Sequence, residues 1–423
     1  MKLRGVVATT VMLGFLPSSA FAASATCAQL PKPSGTYSGC SWSGLNFQGF
    51  NLTGANLTNT TLSNANLTDA VLTGANLSGV DLSGATLNGV VSRGITGTPK
   101  SLPPLWKVSR GYLIGPRANL TGATLSGVDV TNVSLRYAQL DGVASGGIVG
   151  DNVILPDGWR LANGYLVGST AVLVRANLSG ADLTGAKVKE ANLLGATLTD
   201  ADLSRSDFRG STLTNAKVGG ANFSGALMAQ VISGGVTGQP TTLPSGWGLI
   251  NGHFVGPGAM LRHANLAYAT FSKVSLRGAN LSSASLYQSN LVGVNLENTN
   301  LNQANFSKAR LQGADFAGAM AYKTNFSRVN ASQANFTRVN LTQADFSSSV
   351  ITYGVFVKAN LTQAVFAKSS LQYANLSGTA LRGADFTGTA MKGLLATSVS
   401  GKPKALPAKW SVTGGSLRGP DSR

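Results

Sequence analysis

From Phe47 onward a bulky apolar residue stands at every fifth position: Phe47, Leu52, Leu57, Leu62, Leu67, Leu72, Leu77, Leu82 and Leu87. Two residues before most of them sits a small one, as at Ala55, Ala65, Ala70, Ala75 and Ala85, and the other three positions are mostly Asn, Asp, Thr, Ser or Gly. A helix repeats every ~3.6 residues and a strand every ~2, so neither keeps a five-residue phase over dozens of residues. A chain that turns a corner every five residues does keep it. Each side of such a coil points one large and one small apolar group inward and leaves its polar residues at the corners.

The same phase returns at Leu120 to Leu140, Leu178 to Phe223 and Leu266 to Met391. In the last and longest run the bulky residue is increasingly phenylalanine (Phe306, Phe316, Phe326, Phe336, Phe346, Phe356, Phe366, Phe386), with Ala321 and Ala331 as undersized exceptions. Units such as Ala181-Asp182-Leu183-Thr184-Gly185 and Ala374-Asn375-Leu376-Ser377-Gly378 carry the motif Ala-(Asp/Asn)-Leu-x-x. On these residues the chain resembles the pentapeptide-repeat family over most of 45–393. The resemblance implies an all-β fold, a right-handed quadrilateral β-helix with four pentads per coil, and rods that can pair through an end into a homodimer. A solenoid of this kind buries little per turn, so stability grows with the number of coils and the ends need caps.

A longer unit interrupts the pentads: Gly97-Thr-Pro99-Lys-Ser-Leu102-Pro103-Pro-Leu-Trp106, then Gly111, Leu113 and Gly115. Further copies centre on Trp159, Trp247 and Trp410, each with a proline three residues before the tryptophan (Pro103, Pro156, Pro244, Pro407) and a glycine five after it (Gly111, Gly164, Gly252, Gly415). Each step from one of these tryptophans to the next (106 to 159, 159 to 247, 247 to 410) leaves remainder three on division by five. An insert of fixed length between whole pentads explains this. Asn163-Gly164 and Asn251-Gly252 between short apolar flanks predict a two-residue hairpin turn. Packing of each tryptophan against the solenoid is favoured over an exposed sugar-binding patch, because a fixed frame suits packing. Trp42 lies outside the scheme.

Catalysis needs converging groups, and few are available. His253 and His263 are the two histidines, and His253 occupies the module slot held by Tyr112 and Tyr165. Glutamate occurs only at 190 and 297, and no metal-ligand spacing is present. The expectation is a non-enzymatic protein without cofactor or metal.

The formal charge is +17, and residues 258–423 hold 17 Lys and Arg against five Asp and Glu, a net +12. That balance points to an anionic partner. With four pentads per coil, Lys308, Arg328 and Lys368 share a face with Ser348 completing the column, and Arg338 and Lys358 stack on the opposite face. Stacked cations repel, and a bound anion relieves the repulsion.

Lys2 and Arg4, the apolar run Val6 to Leu16, Pro17 and Ser-Ser-Ala-Phe-Ala have the order of a cleaved signal peptide, with the cut after Ala22. The run is too short to cross a bilayer. Cys27 and Cys40 are the two cysteines, and in an oxidising compartment a disulfide between them is expected. The predicted organisation is a signal peptide at 1–22, an N-terminal cap at 23–44, a β-helix at 45–393 with modules near 94–116, 147–169 and 235–257, and a C-terminal module and cap at 394–423. The function expected is a secreted, periplasmic or cell-surface scaffold that binds an anionic cell-surface polymer or a protein partner. Some members of the resembled family mimic DNA and inhibit topoisomerase, but that requires an acidic cytoplasmic rod and is disfavoured here. Adhesion to ice or another ordered surface through Thr53, Thr58, Ser63, Thr68, Thr73 and Ser78 is a further alternative.

Overall fold

The structure is a computed structural model that describes residues 27–420 and Ser422. The signal-peptide reading of 1–22 lies outside them. The described residues contain strands, bridges and turns and no helix.

Each pentad forms one side and one corner. On the side, the residue before the bulky one makes a parallel bridge to its counterpart four pentads on, as in Thr36↔Asn56, Asn56↔Asn76 and Asn325↔Asp345. Asn56 N–H donates to Gly35 O at 2.8 Å, Leu57 N–H to Asn76 O at 3.0 Å and Asn59 N–H to Ser78 O at 2.8 Å. At the corner, Ala55 N–H donates back to Leu52 O at 3.0 Å, with Gly54 between them at φ 66°. Positive φ at the third residue of a hydrogen-bonded turn is the type II signature. The second residue after every bulky one is thus left-handed, a conformation that glycine adopts at no steric cost and other residues adopt at ~1 kcal/mol or more.

The preference for Asn or Asp before the bulky residue has a local cause. Its Oδ1 accepts the backbone N–H two residues on, as Asn51 does from Thr53 at 3.0 Å and Asp345 from Ser347 at 2.8 Å. This side-chain turn fixes the approach to the corner. Departures at the small position are tolerated where a hydroxyl finds a carbonyl: Ser289 Oγ donates to Leu286 O at 2.6 Å and Thr324 Oγ1 to Leu301 O at 2.7 Å, both fully buried.

The chain divides into two compact units, one running through Leu140 and including Ile148–Asp157, the other comprising Asp141–Gly147 and Gly158 onward. In the first, the pentad frame begins earlier than the leucine spacing suggests. Tyr37 and Trp42 fill bulky positions, both buried, and Tyr37, Trp42 and Phe47 follow one another with ring centroids 5.0 Å apart. Trp42, which fits no tryptophan module, is therefore a core residue, and its indole N–H donates to Cys27 O at 3.4 Å. Cys27 and Cys40 form the expected disulfide, their Cα atoms 5.5 Å apart.

In the second unit the long C-terminal run is filled by phenylalanine. Phe306, Phe326, Phe346, Phe366 and Phe386 stack in one column, with centroids 4.7 to 5.2 Å apart. Phe316, Phe336 and Phe356 stack in a second at 4.8 Å, and the two columns meet edge to face across the interior, as in Phe336–Phe346 at 5.5 Å. Ala321 and Ala331 are fully buried in the intervening rows.

Four antiparallel hairpins stand beside the pentads: β1 (Lys107–Ser109) with β2 (Tyr112–Ile114) in the first unit, and β3 (Arg160–Ala162) with β4 (Tyr165–Val167), β5 (Gly248–Ile250) with β6 (His253–Val255), and β7 (Ser411–Thr413) with β8 (Ser416–Arg418) in the second. Each turns through two residues of positive φ: Arg110-Gly111, Asn163-Gly164, Asn251-Gly252 and Gly414-Gly415. That is the type I′ geometry which Asn-Gly favours. Across the first three hairpins the parallel bridge spans one coil plus eight further positions (Val91↔Asn119, Ala144↔Val172, Ile232↔Met260). Eight leaves remainder three on division by five, which accounts for the tryptophan spacing.

Candidate binding surface

The five cations singled out by their spacing share one backbone state. Lys308, Arg328, Arg338, Lys358 and Lys368 have φ of 61°, 58°, 57°, 60° and 58°, so each is the left-handed residue of a corner, and all five are exposed. The ladder brings them together as expected. Lys308 N–H donates to Ser327 O, Arg328 N–H to Ser347 O, Ser348 N–H to Ala367 O and Lys368 N–H to Thr387 O, at 2.9 to 3.0 Å, which makes 308, 328, 348 and 368 one corner column. Arg338 and Lys358 form another two corners further round, with Gly318 and Gly378 at the same corner of the adjoining coils. Columns of this kind repeat at about 4.8 Å.

Among the described residues the ion pairs are Lys107–Asp129, Lys189–Glu190, Arg209–Asp207, Arg277–Glu297 and Lys404–Asp385, and none uses the five cations. The carboxylates are engaged elsewhere. Asp81 is held down at about 2, first by the hydroxyl of Ser101 and then by the hydroxyl and N–H of Ser83. Asp385 is also held at about 2, by the hydroxyl and N–H of Thr387 and then by Lys404. Asp129 lies below the usual carboxylate range because of Lys107 and Thr131.

The corner position itself escaped the sequence reading, which treated the three polar positions of a pentad as equivalent. Its signal was visible: Gly74, Gly79, Gly84, Gly89 and Gly94 all fall there with φ between 66° and 69°. Between 298 and 373 the glycines thin out, and Gln303, Lys308, Lys323, Arg328, Gln333, Arg338 and Gln343 hold the left-handed state in their place.

The module tryptophans, Trp106, Trp159, Trp247 and Trp410, are half-buried and pack against the hydrophobic core of their own unit. Each indole lies over the glycine nine residues later. A Cβ built on Gly115, Gly168 or Gly256 would come 2.1 Å from the ring, and on Gly419 2.3 Å. Trp106, Trp247 and Trp410 each close a turn with the proline three residues before, at 3.1 to 3.2 Å. His253 takes the register position of Tyr112 and Tyr165, opposite the last residue of the preceding strand. Its Nδ1 lies 2.9 Å from Ser233 O, and burial lowers its pKa, so the ring is neutral at pH 7.

Of the six hydroxyls considered for ice adhesion, those of Thr53, Thr58 and Ser78 donate to Asn51, Asn56 and Asn76 of their own pentads at 2.6 to 2.7 Å, and that of Ser63 pairs with the Ser43 hydroxyl at 2.8 Å. Among the described residues no cluster of three or more His, Cys, Asp or Glu is placed to hold a metal ion, and no helix is long and apolar enough to cross a membrane.

A parallel ladder that repeats every four pentads beside an apolar interior is the pattern of a β-helical repeat protein. The model of the family described as pentapeptide repeats matches residues 38–69, 51–89, 117–144, 176–215, 191–230, 258–291, 289–328, 322–353 and 355–393, more than half of the sequence. The chain belongs to the pentapeptide-repeat family, for which the right-handed β-helix is the implied fold. The three long gaps in the match, 90–116, 145–175 and 231–257, contain the first three hairpins.

No curated protein matches the sequence. Among solved structures, the pentapeptide repeat protein Rfr23 from the cyanobacterium Cyanothece 51142 is 23% identical, covering 27% of this chain and 91% of its own, with a TM-score of 0.26. HetL, involved in heterocyst differentiation regulation in Nostoc sp. strain PCC 7120, is 22% identical over 65% of this chain and 90% of its own, at 0.16. QnrB1, a plasmid-mediated fluoroquinolone resistance protein, is 18% identical over 50% of this chain and 89% of its own, at 0.21. At such TM-scores these likenesses carry no argument about function.

Proposed function

We propose that the protein is an exported, non-catalytic binding scaffold: a right-handed quadrilateral β-helix with hairpin inserts that presents columns of cations to an anionic polymer of the cell envelope. The observation that carries this reading is the placement of Lys308, Arg328, Arg338, Lys358 and Lys368, all at exposed left-handed corners and all outside the ion pairs of the described residues. A solvated surface needs no ordered cation at a position where glycine is the less strained choice. The net +12 of residues 258–423 supplies the long-range attraction.

The test is binding of the mature protein to anionic and neutral polymers as salt is raised. Affinity for an anionic polymer should fall about tenfold or more between low salt and a few tenths molar, as contacts between exposed charges are screened. Equal affinity for charged and neutral polymers, or indifference to salt, refutes the reading. N-terminal sequencing of the protein recovered from the envelope fraction tests export, with Ala23 expected as the first residue.

A further inference from the structure

The corner column that holds Lys308, Arg328 and Lys368 does not begin with a cation. One and two coils before Lys308 the same corner carries Gln288 and Tyr268, both at positive φ, and Tyr287 precedes Gln288. Tyr268 is 71% exposed, and its ring meets that of Tyr287 edge to face at 5.5 Å. Lys308 Nζ lies 5.3 Å over the Tyr287 ring and donates to Tyr287 Oη at 3.0 Å. Exposed Arg310 follows Lys308 on the adjoining side, and Arg328 and Lys368 continue the column. Aromatic faces and cations thus share one edge, with Ser348 between Arg328 and Lys368. The carboxylate flanking that edge between Arg328 and Lys368 is Asp345, whose Oδ1 already accepts the Ser347 N–H.

We infer that this edge, from Tyr268 through Tyr287, Lys308, Arg310 and Arg328 to Lys368, is a binding track for an acidic polysaccharide that carries a carboxylate on its sugar rings. The inference rests on the proposed polyanion-binding function and narrows it to one edge and one ligand class. Tyr268 offers an open aromatic face to the C–H face of a pyranose, and the cations downstream meet carboxylates at the spacing of the coils, about 4.8 Å or a multiple of it. A single-stranded nucleic acid fits less well. It would need one stacking platform per base, whereas one face of Tyr287 is already covered by Lys308 and the rest of the track holds cations and hydroxyls.

The probe is polygalacturonate, with fully methyl-esterified polygalacturonate and oligo(dT) as comparisons, measured by titration calorimetry at low salt on the full mature chain. Glutamine is the chosen replacement because Gln288 holds the same column and Gln303, Gln333, Gln343 and Gln363 hold the left-handed corners of other columns in the same run, so the fold accepts it. Lys308→Gln with Arg328→Gln and Lys368→Gln should weaken polygalacturonate binding about tenfold or more. Tyr268→Gln should weaken it about threefold without changing its salt dependence. Arg338→Gln with Lys358→Gln, on the other column, should leave it within about twofold.

An equal loss in that second variant means diffuse charge attraction; it overturns the track and leaves the scaffold reading standing. Tighter binding of oligo(dT), or of the esterified polymer, also overturns the track. Failure of every polyanion to bind removes the scaffold reading itself.

Discussion

Replacing Gly168 by alanine adds one methyl group at a point where the fold has no room for it. The new Cβ would lie 2.1 Å from Trp159 Cδ2 and 2.4 Å from both Cε2 and Cε3, more than an ångström inside normal contact. Gly168 is not left-handed, so the backbone itself accepts alanine and the whole cost is steric. The indole must leave its place against the core or the hairpin must lift. Overpacking of this kind costs about 1 to 3 kcal/mol. Gly180→Ala is the matched contrast: its φ is 64°, nothing lies within 4 Å of the added methyl, and its cost should be the left-handed strain of ~1 kcal/mol. The assay is denaturant unfolding followed by circular dichroism, with a double-mutant cycle on Trp159→Ala. Shrinking Trp159 should abolish the cost of Gly168→Ala and leave that of Gly180→Ala intact. An unchanged midpoint for Gly168→Ala, or an undiminished cost beside Trp159→Ala, refutes the packed-module account.

Three further outcomes follow from the same geometry. Asp81 and Asp385 titrate near 2 in the fold against an ordinary 3.8, so the stability they add is present above the ordinary value and is lost as pH falls toward 2; thermal midpoints measured from pH 5 to pH 2 should drop, and less steeply in Asp81→Asn with Asp385→Asn. Phe346→Ala removes a ring stacked on Phe326 at 4.7 Å and Phe366 at 5.0 Å and should cost about 3 to 5 kcal/mol in chemical denaturation, a loss below 1 kcal/mol being inconsistent with the stacked core. Arg328→Gly relieves a left-handed arginine at φ 58° and should raise stability by up to about 1 kcal/mol while weakening polyanion binding. Gains or losses in both together would contradict a corner held for display.

The five-residue phase was legible in sequence because its cause is local and repeats at every side: a large and a small residue face inward, and Leu57 or Phe336 declares the large one. The start of the ladder was not, since Tyr37 and Trp42 are not leucines and the small position before them is held by Gly35, over which the Tyr37 ring lies, and by buried Cys40, which break the visual pattern. The hairpins were half legible. Asn163-Gly164 and Asn251-Gly252 announce their turns, whereas Arg110-Gly111 reaches the same φ values without a sequence signature. Gly115, Gly168, Gly256 and Gly419 recur in the sequence, but only the indole lying across each of them explains why no side chain is present. The cation columns followed from arithmetic once the family resemblance supplied four pentads per coil. Their backbone state and the tyrosines that extend one of them required the third dimension.

The alternation of phenylalanine and aliphatic rows sets a rule for changing the length of the molecule. Excising residues 321–340 would bring Phe346 onto Phe306 and Phe356 onto Phe316, ring on ring as before, and would seat Leu341 and Ile351 on Leu301 and Leu311 in place of Ala321 and Ala331, so each row keeps its aromatic or aliphatic character. Removing a single pentad would seat aliphatic side chains on aromatic rings in the coil that spans the cut. Removing two would keep ring on ring but carry Lys358 and its neighbours to the opposite edge. Growth and loss by whole turns is therefore the change that leaves both the interior and the pattern of exposed charge intact, and the reach of the molecule can be altered without redesigning its surface.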